Sequence, residues 1–408
     1  MSVTIRDMLF GAIRFAICGQ PLSEEVKTAL SSDDLTALFR LSEAHQLTHL
    51  VAQAMENSGI SRGDADAERF ATTRLTTFIR SEVMNYELET LHQLMGEMGV
   101  RYIPLKGAVL RHYYPESWMR NCCDIDFLVS PEDLPRVAEK LTTELGYEKK
   151  NGGFCSPSGV TLELHYALDG KTFMPTVGEI LDEVWTDNVA PTDDGTRWEM
   201  TPEMFRLYHL IHMVKHFVYG GCGVRPFLDW YIISHRMPCD EARWSELVSR
   251  SGLESFGERV TRLSEIWFGD GEWDDASVRL ADFVLRGGMF GTINNRVMIS
   301  RKRYDSKWQY LRSRIFLPRE SLASHHMVLL DKPWLTPFFQ VRRWGEMILH
   351  GRLGSSVREW RALNNMDPQV DDTARQILKD LDRRVNAVHP PIGYFCTILL
   401  SFSINHRL

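Results

Sequence analysis

The stretch Asp124-Ile125-Asp126-Phe127-Leu128-Val129 alternates polar and apolar residues at its start, as a half-buried β-strand does. In an extended chain, residues two apart project to the same side. Asp124 and Asp126 therefore share one face while Ile125 and Phe127 turn into the interior. Two carboxylates that close repel each other, and a divalent cation removes the conflict. Oxygen ligands of this hardness suit Mg²⁺ or Mn²⁺. A short Asp-x-Asp is common at strand starts, so its meaning depends on what surrounds it.

Upstream, Val100 to Leu105 is a β-rich run that ends at Lys106-Gly107 and gives way to a helical stretch through Tyr114. A strand that turns into a helix leaves free N–H groups at a positive helix end, a place that favours phosphate. Lys106 adds a full charge there, and Arg120 offers a bidentate fork for the same phosphates. Downstream, Ser130-Pro131 is expected to start a helix that runs to Leu145, with Gly146 as its cap. Tyr147 to Lys150 and Val160 to Tyr166 then read as two strands around the Gly152-Gly153 and Ser156 to Gly159 turns. On the second, Thr161, Glu163 and His165 share a face. Glu163 becomes the third carboxylate, as cation ligand or as base toward an acceptor hydroxyl, and His165 orients that acceptor.

This α/β part occupies residues 99–200, between a helical segment at 1–98 and helical segments at 201–290 and 291–408. Leu35, Leu38, Leu41, Leu47, Leu50, Val51 and Met55 recur at helical spacing, and Thr72 to Met98 is almost free of breakers. After Thr201 the pattern predicts helices over 204–218, 224–235, 244–252, 256–267 and 276–285, with 269–275 and 286–295 as the most linker-like places. His212 and His216 face the same way on one helix, without a third ligand or the glutamate of a zinc protease. Packing or contact with the edge of the site is their expected role. Arg225 and Asp229 have the same spacing and are expected to form an ion pair. Trp185, Trp198, Trp230 and Trp244 are expected in the core.

A chain of 408 residues with 44% hydrophobic and 25% charged residues excludes global disorder and is long enough for several cores. A net charge of -7 gives no overall footprint for nucleic acid. The local exception is Arg296 to Arg314, where basic residues alternate with Tyr304, Trp308 and Tyr310; its plainer reading is a solvated helix face. Seven irregularly spaced cysteines make no disulfide framework and point to reducing cytoplasm. Met8 to Cys18 is interrupted by Arg14, unlike a secretory signal. Ile392 to Ile404 falls short of the roughly 20 residues that a membrane span needs.

The order of basic-Gly turn, helix, Asp-x-Asp strand, helix and acidic strand resembles the polymerase-β-like nucleotidyltransferase superfamily. More narrowly, it is similar to the uncharacterised nucleotidyltransferases. The matching residues are Leu105 to Leu110, Tyr114-Pro115, Arg120, Asp124 to Val129, Leu145-Gly146-Tyr147 and Leu162 to His165. They continue in His212 to His216, Gly223 to Asp229 and, loosely, Phe316 to Arg343. The resemblance implies an α+β fold, a small mixed-sheet nucleotidyltransferase core flanked by N-terminal and C-terminal helical domains. It also implies metal-dependent transfer of a nucleoside monophosphate from an NTP to a hydroxyl on a small molecule, sugar, protein or RNA end. In that scheme Asp124, Asp126 and Glu163 are catalytic and bind the metal, while Lys106, Gly107, Arg120 and His165 bind substrate. Lys-Gly stands where the wider superfamily has Gly-Ser, so the phosphate-contacting serine is missing. That departure leaves a non-catalytic nucleotide-binding or protein-interaction module as the alternative, and a phosphotransferase or phosphohydrolase as a third.

Overall fold

Five helices come first, α1 (Ile5–Ile13), α2 (Glu24–Ser32), α3 (Thr36–Ala44), α4 (Thr48–Asn57) and α5 (Ala65–Met98). Local chemistry fixes three of their starts. The Thr4 side chain accepts from Asp7 N–H and the Asp7 carboxylate accepts from Thr4 N–H, while Ser23 and Asp64 cap α2 and α5. The long helix α5 stops at Gly99, which takes the left-handed conformation (φ 62°) that closes a helix. The computed structural model describes residues 3–150, 153–168, 175–192, 195–218, 220–289, 306–317, 319, 322 and 328–349.

The sheet follows, with β1 (Tyr102–Pro104), β2 (Asp124–Val129), β3 (Glu148–Lys150), β4 (Gly153–Cys155) and β5 (Thr161–His165) in the order β1-β2-β5-β4-β3, and the short helix α6 (Gly107–Leu110) between β1 and β2. Only β2 and β5 run parallel, because α7 (Leu134–Thr143) and the β3-β4 hairpin carry the chain back between them. Ile125, Phe127 and Val129 point to one side, where Leu88, Leu91, Leu94 and Met95 of α5 and Val137 and Leu141 of α7 cover them. His92 of α5 stacks on Phe127 and shares a 2.6 Å hydrogen bond with the Tyr102 hydroxyl. Burial of each such large side chain is worth about 1.5–3 kcal/mol. The opposite side carries Asp124 and Asp126.

Three sequence expectations shift here. Ser130-Pro131 opens a turn instead of the helix: the Ser130 hydroxyl accepts from Asp133 N–H at 3.1 Å, and α7 starts at Leu134. Gly153 lies in a third strand rather than a turn, since a Cβ there would stand 2.8 Å from the Leu162 carbonyl oxygen and only glycine lets β4 close on β5. A second small sheet, β6 (Val189–Pro191) with β7 (Trp198–Met200), was not foreseen, and Tyr102 bridges to Arg197 beside it.

After α8 (Pro175–Asp182), the described helices include α9 (Pro202–Val218), α10 (Val224–Arg236), α11 (Glu241–Ser251), α12 (Glu254–Phe268) and α13 (Asp275–Gly287), these five close to the predicted spans. Their core is continuous with that of the first helices: Phe10 stacks on Trp267 at 4.9 Å, and Arg14 donates to the carbonyls of Ile266 and Trp267. Of the four tryptophans expected inside, Trp230 is buried, while Trp185, Trp198 and Trp244 are half-buried at the rim. The 269–275 segment is a tight corner rather than a linker, with Gly271 pressed against the backbone of Glu265 and Ile266. The expected linker beyond residue 289, most of the basic cluster at 296–314 and the apolar run at 392–404 lie outside the described residues. Within the cluster, the helix Lys307–Ile315 exposes Trp308 and buries Tyr310. Among the described residues, no helix is long and apolar enough to cross a membrane. The architecture is thus α+β, mostly helical around one mixed sheet.

Candidate functional site

The parallel pairing of β2 with β5 sets Asp126 opposite Glu163, Asp124 opposite Thr161 and Leu128 opposite His165. Because side chains alternate along both strands, this register brings the acidic faces of two separate stretches together. Asp126 is almost fully buried, and its Oδ1 accepts from Lys106 Nζ at 2.7 Å and from His165 Nε2 at 2.7 Å. His165 Nε2 is 3.6 Å from Glu163 Oε2. One ligand atom each from Asp126, Glu163 and His165 lies within 4.8 Å of the others, a spacing that could hold a metal ion. Asp124 sits one alternation along the same face, outside that tight cluster. His165, expected to orient an acceptor, here holds Asp126.

The two aspartates are pushed apart electrostatically. Burial raises the pKa of Asp124, and the charges of Asp126 and Glu163 raise it further against the pull of Lys106, to about 6. Burial acts the same way on Asp126, but there the Lys106 charge and the His165 hydrogen bond prevail and hold its carboxyl below the usual range. The result is three carboxylates facing one ammonium. A divalent cation fits that donor set, since it would balance the surplus charge and relieve Asp124.

Lys106 arrives by an unusual backbone route. Its φ of 47° and ψ of -117°, with Ala108 N–H bonded to the Leu105 carbonyl at 3.1 Å, make Leu105 to Ala108 a type II′ turn with lysine in the position that glycine prefers. A non-glycine residue there stores on the order of 1–3 kcal/mol of strain. The lysine thus adopts a conformation that glycine prefers, and its ion pair to Asp126 anchors it there. The next residue is glycine for a different reason: a Cβ on Gly107 would overlap Cys122 Sγ.

Arg120 does not reach the carboxylate cluster. Its guanidinium is buried, Nε donating to Asp229 Oδ1 at 2.6 Å and Nη1 to the Asn121 carbonyl. The expected Arg225–Asp229 pair is therefore replaced by Arg120–Asp229, joined by the Tyr114 hydroxyl at 2.7 Å from the same oxygen. Arg225 instead donates to Gln46 Oε1 at 2.5 Å and to the Asn121 carbonyl at 3.2 Å. These partners stand too far away in sequence for spacing to have found them.

On α9, His212 and His216 share a hydrogen bond between their Nε2 atoms, 2.9 Å apart, so one donates and the other accepts. Burial first, then the neighbouring cations including Lys106, keep both pKa values far below the ordinary histidine range. The pair is thus neutral and forms a wall near Lys106, and among the described residues it belongs to no three-ligand group.

This geometry coincides with one family comparison. A family described as uncharacterised nucleotidyltransferase matches residues 31–269, which is more than half of the chain and includes every site residue above. The chain belongs to that family. Searches of curated proteins and of solved structures gave no match. As a member of the nucleotidyltransferase family, the chain has nucleotidyl transfer as its general activity class and a nucleotide as the implied substrate.

Proposed function

We propose that the protein is an enzyme that moves a nucleoside monophosphate from an NTP to a hydroxyl acceptor with release of pyrophosphate, using Mg²⁺ or Mn²⁺. The observation that carries this reading is the convergence of Asp124, Asp126 and Glu163 from two parallel strands beside the Lys106 turn. In the reaction the acceptor oxygen bonds to the α-phosphorus, the bond from that phosphorus to the leaving oxygen breaks, and the acceptor proton passes to a base. Glu163, the most exposed of the cluster, is positioned to take that proton, and His165 keeps Asp126 oriented. The cation, held by the aspartates and Glu163, would stabilise charge on the transferring phosphate. Lys106 supplies a fixed positive charge at the helix start that follows the turn. The six described cysteines are free thiols, which supports a reducing compartment such as the cytoplasm.

One observation favours a second reading. Asp126 already has two protein donors on one oxygen, as a non-catalytic nucleotide-binding module would tolerate. Incubation with the four labelled NTPs, Mg²⁺ or Mn²⁺ and a cell extract decides between them. Label transfer with pyrophosphate release, lost in Asp126→Ala, supports the enzyme. Nucleotide binding that survives Asp126→Ala without pyrophosphate release supports the module, and release of inorganic phosphate indicates a phosphohydrolase.

A further inference from the structure

Three guanidiniums, those of Arg111, Arg120 and Arg225, lie close enough to Cys122 for each to lower its thiol pKa. Among the described residues, one carboxylate bonds to any of them, Asp229, whose Oδ1 accepts from both Arg120 and Tyr114. Arg111 is buried with the Ser81 hydroxyl as its hydrogen-bond partner, leaving its Nε and Nη1 unsatisfied. Arg225 has two neutral oxygens as partners and a buried Nε with none. Its charge reaches Asp124 and Cys123.

The positive charge of Arg225 is opposed more than it is supported. Burial and the Arg120 charge lower its pKa, against a smaller upward pull from the Asp229 carboxylate. It also stands in the first turn of α10, the end of a helix that disfavours cations. A partly desolvated cation to which no carboxylate bonds among the described residues is costly to keep. Unlike Arg111, Arg225 is only half-buried and can meet a ligand.

We propose that Arg225 is a phosphate-binding residue, its free donors taking the β- and γ-phosphates of the NTP and then the leaving pyrophosphate. The ligand class is a polyphosphate anion, and the inference rests on the nucleotidyltransferase reading of the neighbouring carboxylates. Arg120, by bonding to Asp229, then acts as a positioning residue that keeps this carboxylate from bonding to Arg225. A planar fork matches two phosphate oxygens at once, which a lysine cannot.

Inorganic pyrophosphate is the probe, titrated calorimetrically into the full chain without metal, with melting temperatures measured in parallel. The wild type is expected to bind it, Arg225→Gln at least ten-fold more weakly, and Arg225→Lys in between. Arg225→Gln without ligand is expected to melt at or above the wild-type temperature, because a partly desolvated charge that bonds to no carboxylate has gone. Equal pyrophosphate affinity in wild type and Arg225→Gln overturns the inference. A ligand-free melting temperature of Arg225→Gln well below that of wild type does the same, since it marks a structural role. A Mg²⁺-NTP titration separates the two levels: if wild type binds the nucleotide and Arg225→Gln binds it equally well, only this inference falls. If wild type binds neither nucleotide nor pyrophosphate, the nucleotidyltransferase reading falls with it.

Discussion

Arg120 Nε lies 2.6 Å from Asp229 Oδ1, and both side chains are withdrawn from solvent. This contact ties the segment before the aspartate strand to the first half of α10, and the Tyr114 hydroxyl completes it. Removing one partner of such a pair leaves the other charge buried and alone, which costs about 3–5 kcal/mol. Asp229→Ala should therefore melt at a much lower temperature than wild type. Tyr114→Phe, which removes one hydrogen bond to a charged group, should lose about 1.5–3 kcal/mol. Chemical denaturation of the three proteins checks the ranking, and a Tyr114→Phe loss equal to that of Asp229→Ala would contradict it.

Asp124 differs because, among the described residues, it makes no ion pair, and burial and two carboxylate neighbours raise its pKa against the pull of Lys106 and Arg225. Asp124→Asn removes that repulsion, so the metal-free protein should be more stable at pH 7, on the order of 1–3 kcal/mol. Function should move the opposite way, with the Mg²⁺-induced rise in melting temperature lost and transfer reduced at least a hundred-fold. A drop in metal-free stability would show that the strand face is not electrostatically strained. Such an exchange of stability for a working site is common where charges are held together.

The Lys106-Gly107 turn can be tested sterically. A methyl group on Gly107 collides with Cys122 Sγ and stands 3.3 Å from its Cβ. Gly107→Ala should cost about 1–3 kcal/mol by overpacking. Cys122→Ala in the same chain removes the overlapping sulfur and should recover part of that loss. Double-mutant analysis of melting curves reads the coupling directly, and strict additivity would mean that the clash is relieved elsewhere.

What the sequence disclosed and what it hid follow one physical division. The acidic faces of β2 and β5 were legible because alternation is a local rule, and parallel pairing then placed Asp126 opposite Glu163. The helices after Thr201 were legible for the same reason. The positive φ of Lys106 was not, since a lysine gives no sign of adopting a glycine's conformation until a distant anion is seen to anchor it. Arg120 showed its chemistry in the sequence but not its partner, because Asp229 comes from another helix and spacing carries no information about that distance. The β4 strand was misread because Gly153 signals both a turn and a close backbone approach, and only the neighbouring Leu162 carbonyl distinguishes them.

Buried histidines give a pH signature that does not depend on the catalytic reading. Burial lowers the pKa of His45 and His49 to about 4 and that of His216 to about 3, with backbone bonds from Leu285 and Met119 opposing the shift in the first two. In the unfolded chain each titrates near 6.5. Their stabilising effect is complete above pH 6.5, where both states are neutral. It is lost as pH falls toward 4, because the unfolded state takes up protons first. Each contributes a slope on the order of 1.4 kcal/mol per pH unit in that window. Asp124 works in the opposite sense, since its raised pKa adds stability as pH falls through about 6, but it is one group against several histidines. The metal-free protein should thus melt at a clearly lower temperature at pH 5 than at pH 7. His49→Gln, which keeps a donor for the Met119 carbonyl and removes the titration, should show a shallower dependence. An unchanged slope in that variant would assign the pH effect to other groups.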